Sequence, residues 1–244
     1  MGPERERLVV VGVDIGQKVD PTAIVVDERE WRETTAAHWA NPRATGLFDG
    51  GDLVHIPAQG ETVHVARHIA RLPLGTPYPR VAEHLVGVVA ALVARGVARP
   101  RLLVDATGVG TPVVDILREA LGRERARDLL AVTFTHGDRF TIDRAARTAS
   151  LGKAYLVSRL QALLQTARLK LPQTDEARAL ARELHDYEIR IDTDANDRYG
   201  AFRVGTHDDL VTALGLACVF EPPAPRTVTV TPDFAALVRR GGRF

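Results

Sequence analysis

The 244-residue chain has a single cysteine, Cys218. It can therefore build neither an intramolecular disulfide framework nor a cysteine-based zinc knuckle. Aromatic residues are scarce at 5%, which leaves aliphatic side chains to form the core. No apolar run approaches the ~20 residues of a membrane-spanning helix. The opening MGPERERL is charged and lacks the apolar stretch of a secretion signal, so a cytosolic protein is expected. Net charge is also nearly absent, with 32 Lys+Arg against 31 Asp+Glu. Bulk charge thus does not mark a nucleic-acid binder. Arginine far outnumbers lysine, so any local basic surface is expected to be built from arginine.

What remains is an ordinary globular composition, 45% hydrophobic and 26% charged, sufficient for one large or two small domains. Leu8 to Val13 reads as a strand covered on both faces, and Thr22 to Val26 as its return after a turn at Gly16 to Pro21. A polar stretch from Asp27 to Asp52 reads as an extended loop or insertion, and Leu53 to Gly75 carries further β-rich pieces. Helical stripes are expected over Arg80 to Arg95 and from a Thr111 cap to about Leu121. Others are expected over Arg144 to Arg168, over Asp175 to Tyr187 behind a Thr174 cap, and from His207 or Asp208 to Phe220. Strands are expected at Arg101 to Asp105 and Leu129 to Phe134, and a hairpin at Glu188 to Val204. There is no internal repeat. Alternating strands and helices imply an α/β domain around a mixed sheet over residues 1–220, with 221–244 as a C-terminal tail or docking arm.

Four acidic residues stand out by position. Asp14 ends the first strand, Asp105 ends a later one, and Asp208 and Asp209 open the last helix. Ligands of open α/β sheets gather at the carboxyl ends of the strands, where these residues can meet. Clustered carboxylates repel one another unless a cation intervenes, and hard oxygen donors suit Mg²⁺ or Mn²⁺. A pair of such ions can activate water and stabilise the leaving oxygen of a phosphodiester. Each position alone also has a plain structural reading, since strand-end aspartates cap turns and helix-start aspartates cap helices.

Three stretches, VVVGVDIGQKVDPTAIVV, RLLVDATGVGTPVVDILREA and GTHDDLVTALGLAC, resemble the three acidic motifs of the nuclease domain of phage large terminase subunits. GKAYLVSRLQALLQTARLKLP…ARELHDYEI resembles the segment between the second and third motifs. The resemblance spans roughly Leu8 to Phe220. It implies a ribonuclease H-like mixed central sheet flanked by helices with an extra β-hairpin, and cleavage of double-stranded DNA with little sequence preference. It also implies two Mg²⁺ or Mn²⁺ ions held by Asp14, Asp105 and Asp209, with Asp208 as a further ligand or a neighbour. His207 is implied near water or phosphate, and Lys153 as a basic residue near the metals or the scissile phosphate. Arg139, Arg144 and Arg147 become candidate backbone contacts. Gly12 and Gly16 are expected to keep the approach to the metals clear of side chains. The implied partners are a packaging ATPase domain or chain, the portal and the small terminase, within the cytoplasm of an infected host.

The sequence departs from a complete large terminase because no G-x-x-x-x-G-K-[ST] occurs in it: Ala154 follows the GK of RTASLGKAY. Translocation by this chain alone is not expected. Three other readings stay open at this level. A Holliday-junction resolvase shares the chemistry, and a non-catalytic DNA-binding or assembly module shares the fold. VGVDIG also suits actin-like sugar kinases and Hsp70-type ATPases, though HDDLVTAL has no place in them.

Overall fold

A computed structural model of the chain describes residues 8–16, 20–35, 38–40, 54–56, 59–108, 110–191, 197–200 and 207–220. The strands are β1 (Val9–Asp14), β2 (Ala23–Thr35), β3 (His38–Ala40), β4 (Val54–Ile56) and β5 (Gln59–Arg71). Next come helix α1 (Tyr78–Ala94), β6 (Arg101–Asp105), α2 (Gly110–Arg125), β7 (Leu129–Thr135), β8 (Phe140–Asp143) and β9 (Thr148–Gly152). The chain continues with α3 (Lys153–Gln165), β10 (Leu169–Lys170), α4 (Asp175–Asp186), β11 (Glu188–Ile191), β12 (Asp197–Gly200) and α5 (Asp209–Cys218).

Eight strands form one sheet in the order β10-β5-β2-β1-β6-β7-β9-β8. The inner strands β1, β6, β7 and β9 run parallel, whereas β2 is antiparallel to β1 and β8 antiparallel to β9. The alternation of β1 explains why it is apolar throughout. Val10 enters the core beneath α3, α4 and α5, while Val9, Val11 and Val13 enter the core beneath α1 and α2. With helices on both faces, neither set of side chains can be polar.

The chain divides into two units, Met1–Glu30 with Val63–Glu221 and Trp31–Thr62 with Pro222–Phe244. The second contains the pair β3–β4 and a clamp in which the Arg32 guanidinium grips Glu61 Oε1 at 3.0 and 2.5 Å. The expected tail at 221–244 and the turn of the hairpin lie outside the described residues. The hairpin strands are as expected: β11 and β12 pair antiparallel, Glu188 opposite Gly200.

Two expectations are corrected. The run Asp27-Glu28-Arg29-Glu30 is not loop but the middle of β2. Its charges are matched from the neighbouring strand, where Arg67 donates to Glu28 Oε2 at 2.7 Å and also to Glu30. The helix expected from Arg144 begins only at Lys153, because Thr148–Gly152 is a strand parallel to β7. Thr148 and Ser150 face out while Ala149 and Leu151 are buried, a period of two that overrides the local helical stripe. In addition, Thr111 sits inside the first turn of α2, which starts at Gly110. The Thr174 cap holds, its Oγ1 accepting from Ala177 N at 3.1 Å.

One close approach positions everything that follows. A Cβ on Gly12 would stand 2.0 Å from Ala213 O and 2.6 Å from Ala217 N, so the backbone of α5 lies directly on β1. Gly12 therefore makes room for a helix, and a Cβ on Gly16 would meet the backbone of Asp20 at 2.0 Å. At both glycines the missing side chain makes room for backbone. Gly12→Ala is expected to destabilise the protein by about 2 kcal/mol or more, since the obstacle is backbone rather than a movable side chain. Urea unfolding reads this directly, and an unchanged midpoint would refute the close packing of α5 on β1.

Candidate metal centre

Parallel pairing of β1 with β6 puts Val13 beside Val104. Asp14 and Asp105 follow on adjacent strands at the same edge, roughly one strand spacing of 4.8 Å apart along the backbone. The approach of α5 to Gly12 brings the start of that helix to the same edge, with Asp208 at the N-cap and Asp209 in the first turn. Asp20, in the turn between β1 and β2, joins them. The charges that bear most on Asp14 are carboxylates: Asp105, then Asp208, Asp209 and Asp20. Burial first and these charges second hold the Asp14 carboxyl well above the usual carboxylate range.

Two of the other aspartates, Asp105 and Asp209, are oriented by different devices. Asp105 Oδ1 accepts from Thr107 N at 2.8 Å and from Thr107 Oγ1 at 2.6 Å, and that hydroxyl accepts in turn from Phe134 N at 2.8 Å. The ends of β6 and β7 are thus laced together, and one carboxylate oxygen of Asp105 is held in place. Burial raises its pKa against the opposing pull of the Thr107 bonds and Lys153. Asp209 is buried and gripped in two-pronged fashion by Arg71, at 2.7 Å from Nε and 3.3 Å from Nη2. Glu183 of α4 contacts the same guanidinium, and its other oxygen accepts from Leu210 N at 3.1 Å. Burial still raises the Asp209 pKa, opposed by Arg71 and His207.

Of the basic residues expected here, Lys153 opens α3 just past the end of β9, where its charge lowers the Asp105 pKa. Its ammonium also lies 5.7 Å from the Phe134 ring centre. Arg139 is at the same edge, its carbonyl accepting from Gly152 N at 2.7 Å. His207 Nδ1 stands 3.8 Å from Asp20 and 3.9 Å from Asp209. Arg144 and Arg147 are not brought to the carboxylates. They form the turn from β8 into β9, at the amino end of β9 and so at the opposite edge of the sheet. The sequence stripe that made them neighbours of Lys153 was read as helical, and the intervening strand separates them.

Arg71, Glu183 and Asp20 went unnoticed in the sequence. No spacing pattern marks Arg71 or Glu183, because each meets Asp209 only through the tertiary fold. Asp20 carried a weak signal, as an acidic residue in the turn after the first motif.

Among the described residues, the edge gathers hard oxygen donors and a concentration of negative charge around Asp14, both of which suit a divalent cation. A second group, Asp27, His64 and Cys218, places its ligand atoms within 4.8 Å of one another in the core. Here His64 Nδ1 bonds Asp27 Oδ2 at 2.7 Å, Arg159 Nη2 faces His64 Nε2 at 3.2 Å, and Arg29 lies 3.8 Å from Asp27. Two guanidinium groups already supply that cluster with positive charge, so it is a buried polar network rather than a cation site. The sequence showed no such set because its members are far apart along the chain.

The mixed sheet with carboxylates at the carboxyl ends of its parallel strands is the ribonuclease H-like arrangement. Among solved structures, the large terminase nuclease domain of Thermus phage P74-26 aligns with a TM-score of 0.50 at 14% identity, covering 88% of this chain and 80% of that one. The large terminase nuclease of thermophilic phage G20c with bound magnesium gives 0.49 at 15%, over 88% and 82%. The manganese-soaked human cytomegalovirus terminase nuclease domain gives 0.49 at 10%, over 89% and 85%. No protein-family model and no curated protein matches the sequence. The fold is that of the terminase nuclease domains.

Proposed function

We propose that the chain is a metal-dependent endonuclease domain that cuts double-stranded DNA with little sequence preference during packaging of a viral genome. The observation that carries this reading is the convergence of Asp14, Asp105 and Asp208 on one edge of the sheet, with further acidic charge from Asp209 and Asp20 bearing on Asp14. Two Mg²⁺ or Mn²⁺ ions held by these three carboxylates would supply a water activated for attack on the phosphodiester and charge stabilisation at the leaving oxygen.

Asp209 takes a different part. Its carboxylate is engaged by Arg71, so it anchors the start of α5 and thereby sets where Asp208 points. Thr107 does the same for Asp105. Lys153, next to Asp105, is placed to hold the scissile phosphate, and Arg139 at the same edge to hold a flanking one; such contacts fix position rather than sequence. His207 orients water or phosphate beside Asp20. The hairpin β11–β12, just before α5 in the chain, serves as a flap over the DNA path. A packaging ATPase, as a further domain or a separate chain, drives the DNA, with portal and small terminase as further partners.

A plasmid-nicking assay with Mn²⁺, Mg²⁺ or EDTA tests the reading. Wild type is expected to nick and linearise plasmid with either metal and to do neither in EDTA, and Asp105→Asn to lose at least about 100-fold in rate. Metal-independent cleavage, or an unaffected Asp105→Asn, would sink it. Preference for a four-way junction over linear duplex would instead favour the resolvase reading.

A further inference from the structure

The edge of the sheet remote from the carboxylates carries a feature that nuclease chemistry does not use. A cleft of about 500 Å³ opens between the end of α2 and the turn into β9, and four arginines, Arg118, Arg123, Arg127 and Arg147, line it against one acid, Glu119. The whole chain is balanced to a net charge of +1, so this is a local concentration of positive charge.

Two of the guanidinium groups are fixed by carbonyl oxygens. Arg118 Nη2 donates to Arg147 O at 3.2 Å, and Arg147 Nη1 donates to Ala126 O at 3.3 Å. Carbonyls orient these groups without cancelling their charge. The nearest acid to Arg118 is the exposed Asp115, 3.7 Å away, and Arg118 Nε is buried without a hydrogen-bond partner.

The backbone is shaped to the same end. Arg147 adopts φ 55°, a left-handed conformation costly for a residue with a side chain. It is held there by Ala131 N, which donates to its carbonyl at 3.1 Å. α2 breaks at Gly122 with φ 74°, and both Gly122 and the adjacent Arg123 line the cleft.

Planar guanidinium groups, two of them oriented in advance by carbonyls and together outnumbering the acids beside them, match the oxygen geometry of a phosphate group. We propose that this cleft is a phosphate-binding site, separate from the carboxylate edge by about 15 Å, the length of the five-residue strand β9. The ligand chemistry is a phosphate oxyanion, whose source is either a DNA backbone or a small free phosphate.

Isothermal titration of the full chain with inorganic phosphate, in EDTA so that no metal serves the carboxylates, tests this. Wild type is expected to bind with a dissociation constant at or below the millimolar range. Arg118→Gln and the double variant Arg123→Gln/Arg127→Gln are expected to weaken binding by about tenfold or more. The double variant alters side chains on the wall only, so it reports on the site even if Arg118→Gln lowers stability. Displacement of phosphate by a 12-base-pair duplex would identify DNA as the source, and absence of displacement a small free phosphate. No phosphate binding by wild type, or equal binding by wild type and the double variant, would overturn the proposal.

Discussion

Asp14→Asn is expected to abolish metal-dependent DNA cleavage and, in the same molecule, to stabilise the metal-free protein. The first effect follows from its place among the proposed ligands. Removing a carboxylate shared by the metal site should cost at least about 1,000-fold in rate, equivalent to roughly 4 kcal/mol of transition-state stabilisation. The second follows from burial and from the acidic neighbours that raise the Asp14 pKa. A carboxyl that titrates higher when folded than when unfolded binds its proton more tightly in the folded state. The penalty of ionising it is absent below the unfolded value near pH 4. It grows as pH rises through the folded value and is complete above it. Asparagine removes the penalty, so the variant should melt higher than wild type in EDTA at pH 7–8, with the gap closing as pH falls towards 4. Asp105 and Asp209 are shifted in the same direction, and added Mn²⁺ should raise the melting temperature of wild type far more than that of the variant. A variant that melts no higher than wild type at pH 8 in EDTA would show that Asp14 carries no such burden.

Loss of Arg71 should be the largest single stability effect at the site. Its guanidinium satisfies Asp209, which is almost fully buried, and Glu183, which is nearly so. Arg71→Met leaves both carboxylates without their cation, and stranding a buried charge of this kind costs roughly 3 kcal/mol. The double variant Arg71→Met/Asp209→Asn should recover part of the loss, because one stranded charge leaves with its partner. Urea unfolding of the two variants measures both quantities. A loss below about 0.5 kcal/mol for Arg71→Met would mean that the network is solvated and does not anchor α5. Cleavage should fall with Arg71→Met even under conditions where the variant is folded, since in the proposed reading the start of α5, which carries Asp208, is anchored through Asp209 by Arg71.

Much of this could be read along the chain. The β1 run from Leu8 to Val13 is apolar because helices cover both faces, and that pattern is local. The ends of β1 and β6 and the start of α5 were placed correctly, so Asp14, Asp105 and the Asp208–Asp209 pair were recognisable as residues of one sheet edge. The failures share a cause. Asp27 to Glu30 read as loop because its charges are matched by Arg67, some forty residues on. Thr148–Gly152 read as helix because a short alternating strand offers less periodic signal than the helix that follows it. That one strand moved Arg144 and Arg147 from the carboxylate edge to the other end of the sheet.

By itself, then, the sequence determined which segments form strands and helices where the period is strong, and which carboxylates stand at their ends. It could not divide labour between Asp208 and Asp209, which are adjacent and chemically identical. Only the tertiary structure brings Arg71 to Asp209. Bare backbone at Gly12 lets α5 lie on β1, and the packing of β5 and α4 against α5 brings Arg71 to Asp209 and Glu183 to Arg71 and Leu210 N. Local pattern reports burial, but the pairing of buried charges depends on contacts between residues more than a hundred positions apart.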